Sequence, residues 1–437
     1  MKNKHLVVIS VDALVFEDLE YAATLPNFKK LLEGGAIIER VKTIYPSLTH
    51  PVHATMITGA PAGKTGIINN LKLTPFDKIH PWYNLLGEIK CETIFHAAKA
   101  AGLTTSACTW PVTAKGGDVI DYLVPGILNF YLEGVNDVDG VINIYREYGA
   151  PECLINIIKE GIDRYGYIDR HPEIDEFQIF CASRIIKEFK PNLMMIHPGY
   201  VDSARHRTGL FGEGVKKSIR ATDGWIGEIM DAVKEAGIED TTDIVVLSDH
   251  GQLGITRVLS PNVLLAEAGY IRLDAEGNPT DYDAISLSGG LTAQIFLSRP
   301  DDKELYDSVY KYLKKLEAEE VYGFERVLTR EECVKEYGLD GEFSFVLETD
   351  GFTSFGDSYT RPLITSFDIE DYRFGRATHG HMPEKGPQPP FIGMGPSFVK
   401  GARKEHGNIL DHAPTLAKIL GLTLKDAEGK AVDEILN

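Results

Sequence analysis

Apolar, strand-like runs of this chain end repeatedly in side chains that can bind a metal ion. Asp12 closes HLVVISVD, and Asp249 and His250 close DIVVLSDH. Asp202 and His206 follow PNLMMIHPG in VDSARHRTG, and His379 lies in ATHGHMP. Hard carboxylate oxygens and borderline imidazole nitrogens, converging from separate strands, are the donors a divalent-metal centre needs. The stretch YPSLTHPVHATMITG adds a different function. It sets Thr49 on a turn bounded by Pro46 and Pro51, just ahead of a small-residue helix. A hydroxyl at a helix N-terminus is well placed to meet an anion, and a neighbouring metal makes such a hydroxyl a competent nucleophile. Singly, each feature has a plain reading: a helix cap, a turn residue, a surface ion pair. Their joint occurrence points to metal-assisted chemistry on an anionic substrate.

The elements that must position these residues alternate. HLVVISVDA, GAIIERVKTI, TTSACTW, PNLMMIHPG, TDIVVLSDHGQ and PPFIGMGPSF read as strands. LPNFKKLLEGGA, CETIFHAAKAAGL, SIRATDGWIGEIMDAVKEAGI and DHAPTLAKILGL read as helices, the first stopped by Gly-Gly and the last with Pro in its first turn. This alternation predicts an α/β fold, a mainly parallel central sheet with helices on both faces. Ligands of such sheets gather beyond the carboxyl ends of the strands, where Asp12, Asp202 and Asp249 fall. Residues about 112–180 and 275–372 break the rhythm and read as inserted cap or lid segments. The expected organisation is a core of 1–274 and 373–437, interrupted at about 112–180, with a smaller cap region at 275–372.

At 437 residues the chain is long enough for a large core, and its net charge of −19 argues against nucleic-acid polymers and anionic membranes as partners. An anionic substrate then calls for locally concentrated positive charge, which metal ions supply. The five cysteines form no CxxC pair and read as reduced thiols. The first apolar run reaches Asp12 and reads as a strand rather than a leader, and no run approaches the ~20 residues of a membrane helix. The expectation is a cytoplasmic enzyme acting on a small molecule; oligomeric state has no signature in the sequence.

Taken in order, VISVDAL, TLPNFKKLLEGGA, YPSLTHPVHATMITGAPAGKTGIINN, TWPVT, DSARHRTG, ATDGWIGEIMDAVKEAGIEDTTDIVVLSDHGQ, ATHGHMP and ILDHAPTLAKILGL resemble the alkaline phosphatase superfamily. Within it they are similar to the type I phosphodiesterase/nucleotide pyrophosphatase branch. The resemblance implies two divalent ions, zinc first and manganese as the alternative. Asp12, Thr49, Asp249 and His250 would hold one; Asp202, His206 and His379 would hold the other. Thr49 would be the nucleophile, passing through a phosphothreonine. Asn70 would bind a phosphoryl oxygen, as would the backbone N–H of His50, with Asn69 the rival if the register slips by one.

Two divalent ions balance three aspartates and a deprotonated threonine, which suits a singly charged diester. A monoester would call on an arginine, with Arg205, Arg373 and Arg376 the nearby choices. The alternatives are a phosphonoacetate hydrolase-like enzyme cleaving a C–P bond, a phosphomonoesterase, or a non-catalytic metal- or ligand-binding homologue. Three positions depart from the pattern: His50 replaces an aromatic residue, Val52 an Asn, and Arg205 a small residue. His53 is expected to pack beneath the turn, His197 and His381 to hydrogen-bond the ligands, Trp110 to be core or pocket wall, and Tyr165 and Tyr167 are candidate pocket residues.

Overall fold

The computed structural model describes residues 4–77, 79–127, 135, 137–166 and 170–437. Tyr167 lies outside the described residues. Strands β1 (His5–Ser10), β2 (Ala36–Lys42), β3 (Thr105–Cys108), β4 (Tyr122–Val124), β5 (Leu193–Ile196) and β6 (Thr242–Leu247) belong to one eight-stranded sheet. Alternate residues of β1 serve opposite layers: Leu6 and Val8 pack into one apolar cluster, Val7 and Ile9 into another. This is the alternation expected of a strand covered on both faces. β1 pairs in parallel with β5 on one side and β6 on the other, so the strands that lead into Asp12, Asp202 and Asp249 are immediate neighbours.

Residues 284–349 carry a separate four-stranded antiparallel sheet of β7 (Ala284–Ser288), β8 (Thr292–Leu297), β9 (Phe324–Thr329) and β10 (Phe345–Thr349), in the order β7-β8-β10-β9. The expected helix in KELYDSVYKYLKKLEAEEV spans Lys303–Ala318. The chain then returns to the main sheet as β11 (Phe391–Met394) and β12 (Arg403–Asn408), completing the order β12-β2-β11-β6-β1-β5-β3-β4. β11 runs antiparallel to both its neighbours, and the rest of the sheet is parallel. The fold is α/β, mainly parallel, with helices on both faces.

Two helices carry site residues. α1 (Thr49–Thr58) is buried along its whole length and stops at Gly59, whose φ of 71° lies in the left-handed region that suits glycine. α2 (Tyr200–Thr208) follows β5 after a short loop and holds Asp202 and His206 one turn apart on one face.

Candidate active site

Asp12, Thr49, Asp202, His206, Asp249, His250 and His379 come together in one unbroken series of contacts. Thr49 Oγ1 lies 3.2 Å from His250 Nε2. The same nitrogen is 3.6 Å from Asp12 Oδ1 and 3.2 Å from Asp249 Oδ2. The His250 ring stacks on His379 with centroids 4.0 Å apart. His379 Nε2 is 3.8 Å from Asp202 Oδ1, and His206 Nε2 is 2.9 Å from Asp202 Oδ2. Ligand atoms of Asp202, His206 and His379 lie within 4.8 Å of one another, as do those of Asp12, Asp202 and His250.

The donor chemistry fits divalent cations. Asp12 Oδ1 and Asp249 Oδ2 are buried without a hydrogen-bond partner, an arrangement that costs free energy unless a cation meets them. His206 donates its Nδ1–H to Ala377 O at 2.7 Å, and His379 donates its own to Ser47 O at 3.2 Å. Each bond fixes a tautomer whose Nε2 lone pair faces the cluster. Burial holds His250 and His379 well below the ordinary imidazole range, keeping them in the neutral form that ligates. Burial, reinforced by Asp202 and Asp249, holds the Asp12 carboxyl well above the usual carboxylate range. Burial also pushes Asp249 up to about 7. Burial alone would raise Asp202, but His206 and His379 beside it hold it low.

Around this centre the chain supplies further contacts. His197 Nε2 lies 3.1 Å from Asp12 Oδ2, leaving Oδ1 turned to the cluster. His53 donates Nδ1–H to Thr49 O at 2.7 Å and takes the Ser10 hydroxyl on Nε2 at 2.9 Å, steadying the first turn of α1. Gln252, which carries no role in the sequence reading, bonds Asp202 Oδ1 through Nε2. Its position two residues after His250, in SDHGQ, is the signal that could have found it. Ser47 laces the Thr49 turn to the His379 loop: its carbonyl also accepts Gly380 N–H at 3.0 Å, and its hydroxyl donates to His381 O at 2.8 Å. His381 thus acts through its backbone, and its buried Nδ1 has no partner.

A cavity of about 240 Å³ opens onto the cluster. Asn70 lines it, and its Oδ1 accepts the His50 backbone N–H at 2.9 Å. That N–H, expected to serve a phosphoryl oxygen, is therefore already engaged, and the bond orients the Asn70 carboxamide. Asn69 turns the other way and donates to Gln294 Oε1 at 3.1 Å. The His50 side chain lines the cavity against Trp82, ring centroids 4.9 Å apart, and Trp82 lies 5.6 Å from Tyr372. Burial lowers His50 to about 4. Trp110 is a wall residue, edge-on to His53 at 4.8 Å. Ile127, His171, Ile174 and Gln178, from the 112–180 region, also line the cavity.

Other residues singled out in the sequence lie outside the cavity lining. Arg205 points away from the cavity: it donates to Ala13 O at 3.1 Å and ion-pairs with buried Asp18. Arg373 is held between Asp357 and Asp371, and Arg376 lies over the Phe367 ring. Tyr165 lines a separate surface groove with Arg164 and Phe180. Val52 is simply core.

Residues 6–351 match the family described as type I phosphodiesterase / nucleotide pyrophosphatase. The chain belongs to that family. Ectonucleotide pyrophosphatase/phosphodiesterase family member 3 of Rattus norvegicus is 25% identical over 262 residues, 56% of this chain and 24% of the relative. Venom phosphodiesterase of Naja atra is 23% identical over 261 residues, 57% of this chain and 26% of the relative. An uncharacterised pyrophosphatase/phosphodiesterase of Schizosaccharomyces pombe is 24% identical over 320 residues, covering 70% and 54%. The chain spans about a quarter of the length of the first of these relatives. The fold is shared with murine ectonucleotide pyrophosphatase/phosphodiesterase 5, solved as an inactive variant with AMP, at a TM-score of 0.68 and 19% identity over 99% of this chain and 100% of that one. The human counterpart superposes with a TM-score of 0.69 at 19% identity, again over 99% and 100%.

Among the described residues, no helix is long and apolar enough to cross a membrane. The cysteines are free, and all but Cys153 are buried. Relatives named as ecto- and venom enzymes lend no support to the expectation of a cytoplasmic location.

Proposed function

We propose that this family member hydrolyses small phosphate diesters, with Thr49 as nucleophile and Asn70 holding a phosphoryl oxygen. The observation that carries the reading is the pair of unpartnered carboxylate oxygens, Asp12 Oδ1 and Asp249 Oδ2, which meet the same His250 nitrogen as the Thr49 hydroxyl does. Asp12, Thr49, Asp249 and His250 would hold one divalent ion, and Asp202, His206 and His379 the other. Zinc is the first choice for such a nitrogen- and oxygen-donor set, with manganese the alternative. When bound, the ions supply positive charge for the attacking and leaving oxygens.

The chain's own residues do the rest. His53, through Thr49 O, and Asn70, through the His50 N–H, hold the turn so that Thr49 Oγ1 faces the cavity. The threonine oxygen gives up its proton to solvent and bonds to phosphorus as the ester oxygen departs with the electron pair of the broken P–O bond and takes up a proton in turn. The resulting phosphothreonine is cleaved by water, which returns the hydroxyl and releases the phosphoryl product. The positive end of the α1 dipole favours the anion throughout.

A diester is favoured over a monoester because the described cavity lining contains no Lys or Arg. The phosphonate and monoester readings, and a non-catalytic homologue, are the alternatives. The murine structural relative bound to AMP supports a small phosphate ester as ligand. We further take 1–274 and 373–437 as the hydrolase core, with 112–180 inserted as a pocket wall and 275–372 as a cap.

Hydrolysis of bis-p-nitrophenyl phosphate, p-nitrophenyl phosphate and phosphonoacetate, each with zinc and with manganese, ranks these readings. Thr49→Ala is expected to retain about two metal ions per chain while losing several orders of magnitude in kcat. A fully active Thr49→Ala protein refutes the nucleophile.

A further inference from the structure

We propose that His171 is a specificity-determining cation, and that substrates of this site carry a second anionic group, a carboxylate or a phosphoryl, on the organic part of the phosphoester. The inference rests on the hydrolase reading above.

His171 is fixed by a small network built for it. Its Nδ1 lies 2.6 Å from Oδ2 of Asp175, a fully buried carboxylate. The other Asp175 oxygen is committed, accepting Gly199 N–H at 2.7 Å and Gln178 Nε2 at 3.3 Å. Gln178 in turn accepts the Thr109 hydroxyl. The imidazole packs so closely on Gly199 that a Cβ there would lie 2.8 Å from His171 Cε1. The ring also runs parallel to Tyr200, at 7° with centroids 6.5 Å apart. Gly199 caps α2 and Tyr200 opens it, two residues before Asp202, so the ring is referenced to the cluster itself.

With Nδ1 on Asp175, Nε2 is the donor left over. It has no hydrogen-bond partner among the described residues, and the side chain is 29% exposed, on the wall of the cavity that holds Thr49 and Asn70. Burial, with a smaller push from Arg207, pulls this imidazole toward neutrality, but the charge and hydrogen bond of Asp175, joined by Asp202, more than offset it and hold the group above its ordinary value. Arg205, Arg373 and Arg376 are spent on Asp18, Asp357, Asp371 and Phe367, and Arg207, next to His206 in sequence, pairs with Glu370 at 3.7 Å. The cavity's cationic contact thus comes from His171, and a charge-assisted hydrogen bond from Nε2 selects a ligand with an anion on that side.

The test is competitive inhibition of bis-p-nitrophenyl phosphate hydrolysis by 3-phosphonopropanoate, 1,3-propylenebisphosphonate and propylphosphonate. It is run on the metal-loaded wild type, His171→Gln and His171→Arg. The wild type is expected to prefer at least one of the two doubly functional anions over propylphosphonate. His171→Gln should cut that preference by about 10- to 100-fold, and His171→Arg should keep most of it. Whichever anion loses more identifies the group. An unchanged preference in His171→Gln, or equal weakening of all three inhibitors, overturns the assignment. A wild type that fails to hydrolyse the diester counts against the proposed function instead. The same affinity ratios, read by calorimetry, then still decide the role of His171.

Discussion

Glu348 gives a prediction whose size can be worked from the structure. It lies on β10, fully buried, where Oε1 accepts Met382 N–H at 3.1 Å and faces Lys385 Nζ at 3.0 Å. Oε2 is buried with no hydrogen-bond partner. Burial outweighs Lys385 and pushes the carboxyl up to about 7 from 4.5. An acid whose folded value is raised costs nothing below its unfolded value, then costs progressively more as pH rises to the folded value. At 1.36 kcal/mol per unit, Glu348 lowers stability by under about 1 kcal/mol at pH 5 and by about 3 kcal/mol at pH 8.

Glu348→Gln removes that titration and keeps an acceptor for Met382. The opposing effect is loss of the Lys385 partner, and breaking a buried pair costs about 3–5 kcal/mol when it strands a charge. Here it does not strand one: Lys385 keeps Glu325 and Thr349 O, each at 2.7 Å, and its side chain is 23% exposed. The desolvation term therefore wins. Chemical denaturation of the metal-free wild type and variant at pH 5, 7 and 8 should show the gain from Glu348→Gln growing by about 2 kcal/mol across that range. Titration of the ligands is common to both proteins and cancels. A gain that does not change with pH, or that shrinks as pH rises, refutes the reasoning.

Further outcomes follow from the site's surroundings. Arg205→Met leaves buried Asp18 without its cation and should cost about 3–5 kcal/mol in chemical denaturation, part of it recovered by adding Asp18→Asn. His197→Ala frees Asp12 Oδ2 and should weaken metal affinity about 10- to 100-fold in competition with a chelator of known affinity, while the melting temperature of the metal-free protein changes little.

The sheet and the cluster were legible because both write themselves into local pattern. A buried parallel strand is a continuous apolar run, and its end is marked when a carboxylate interrupts it, as at Asp12 and Asp249. Direction around a helix is not written that way. Arg205 and His206 are adjacent, yet successive helical side chains diverge by about 100°, so one faces Asp18 and the other the cluster. Asn69 and Asn70 also part, but in a bend outside any helix, where local pattern says still less about direction. β12, with its charged RKEHGN, lacks the apolar signature because it is a sheet edge, where charge deters pairing with another chain. His171 gave no signal at all. Its importance comes from Asp175, Gly199 and Tyr200, which only tertiary structure brings to it.

The hydrogen bonds of Ser47 make one clasp of two segments 332 residues apart in sequence. The turn that carries Thr49 and the loop that carries His379 therefore cannot shift independently. Were Thr49 to take up a covalent load, it would be felt as a tug on that imidazole.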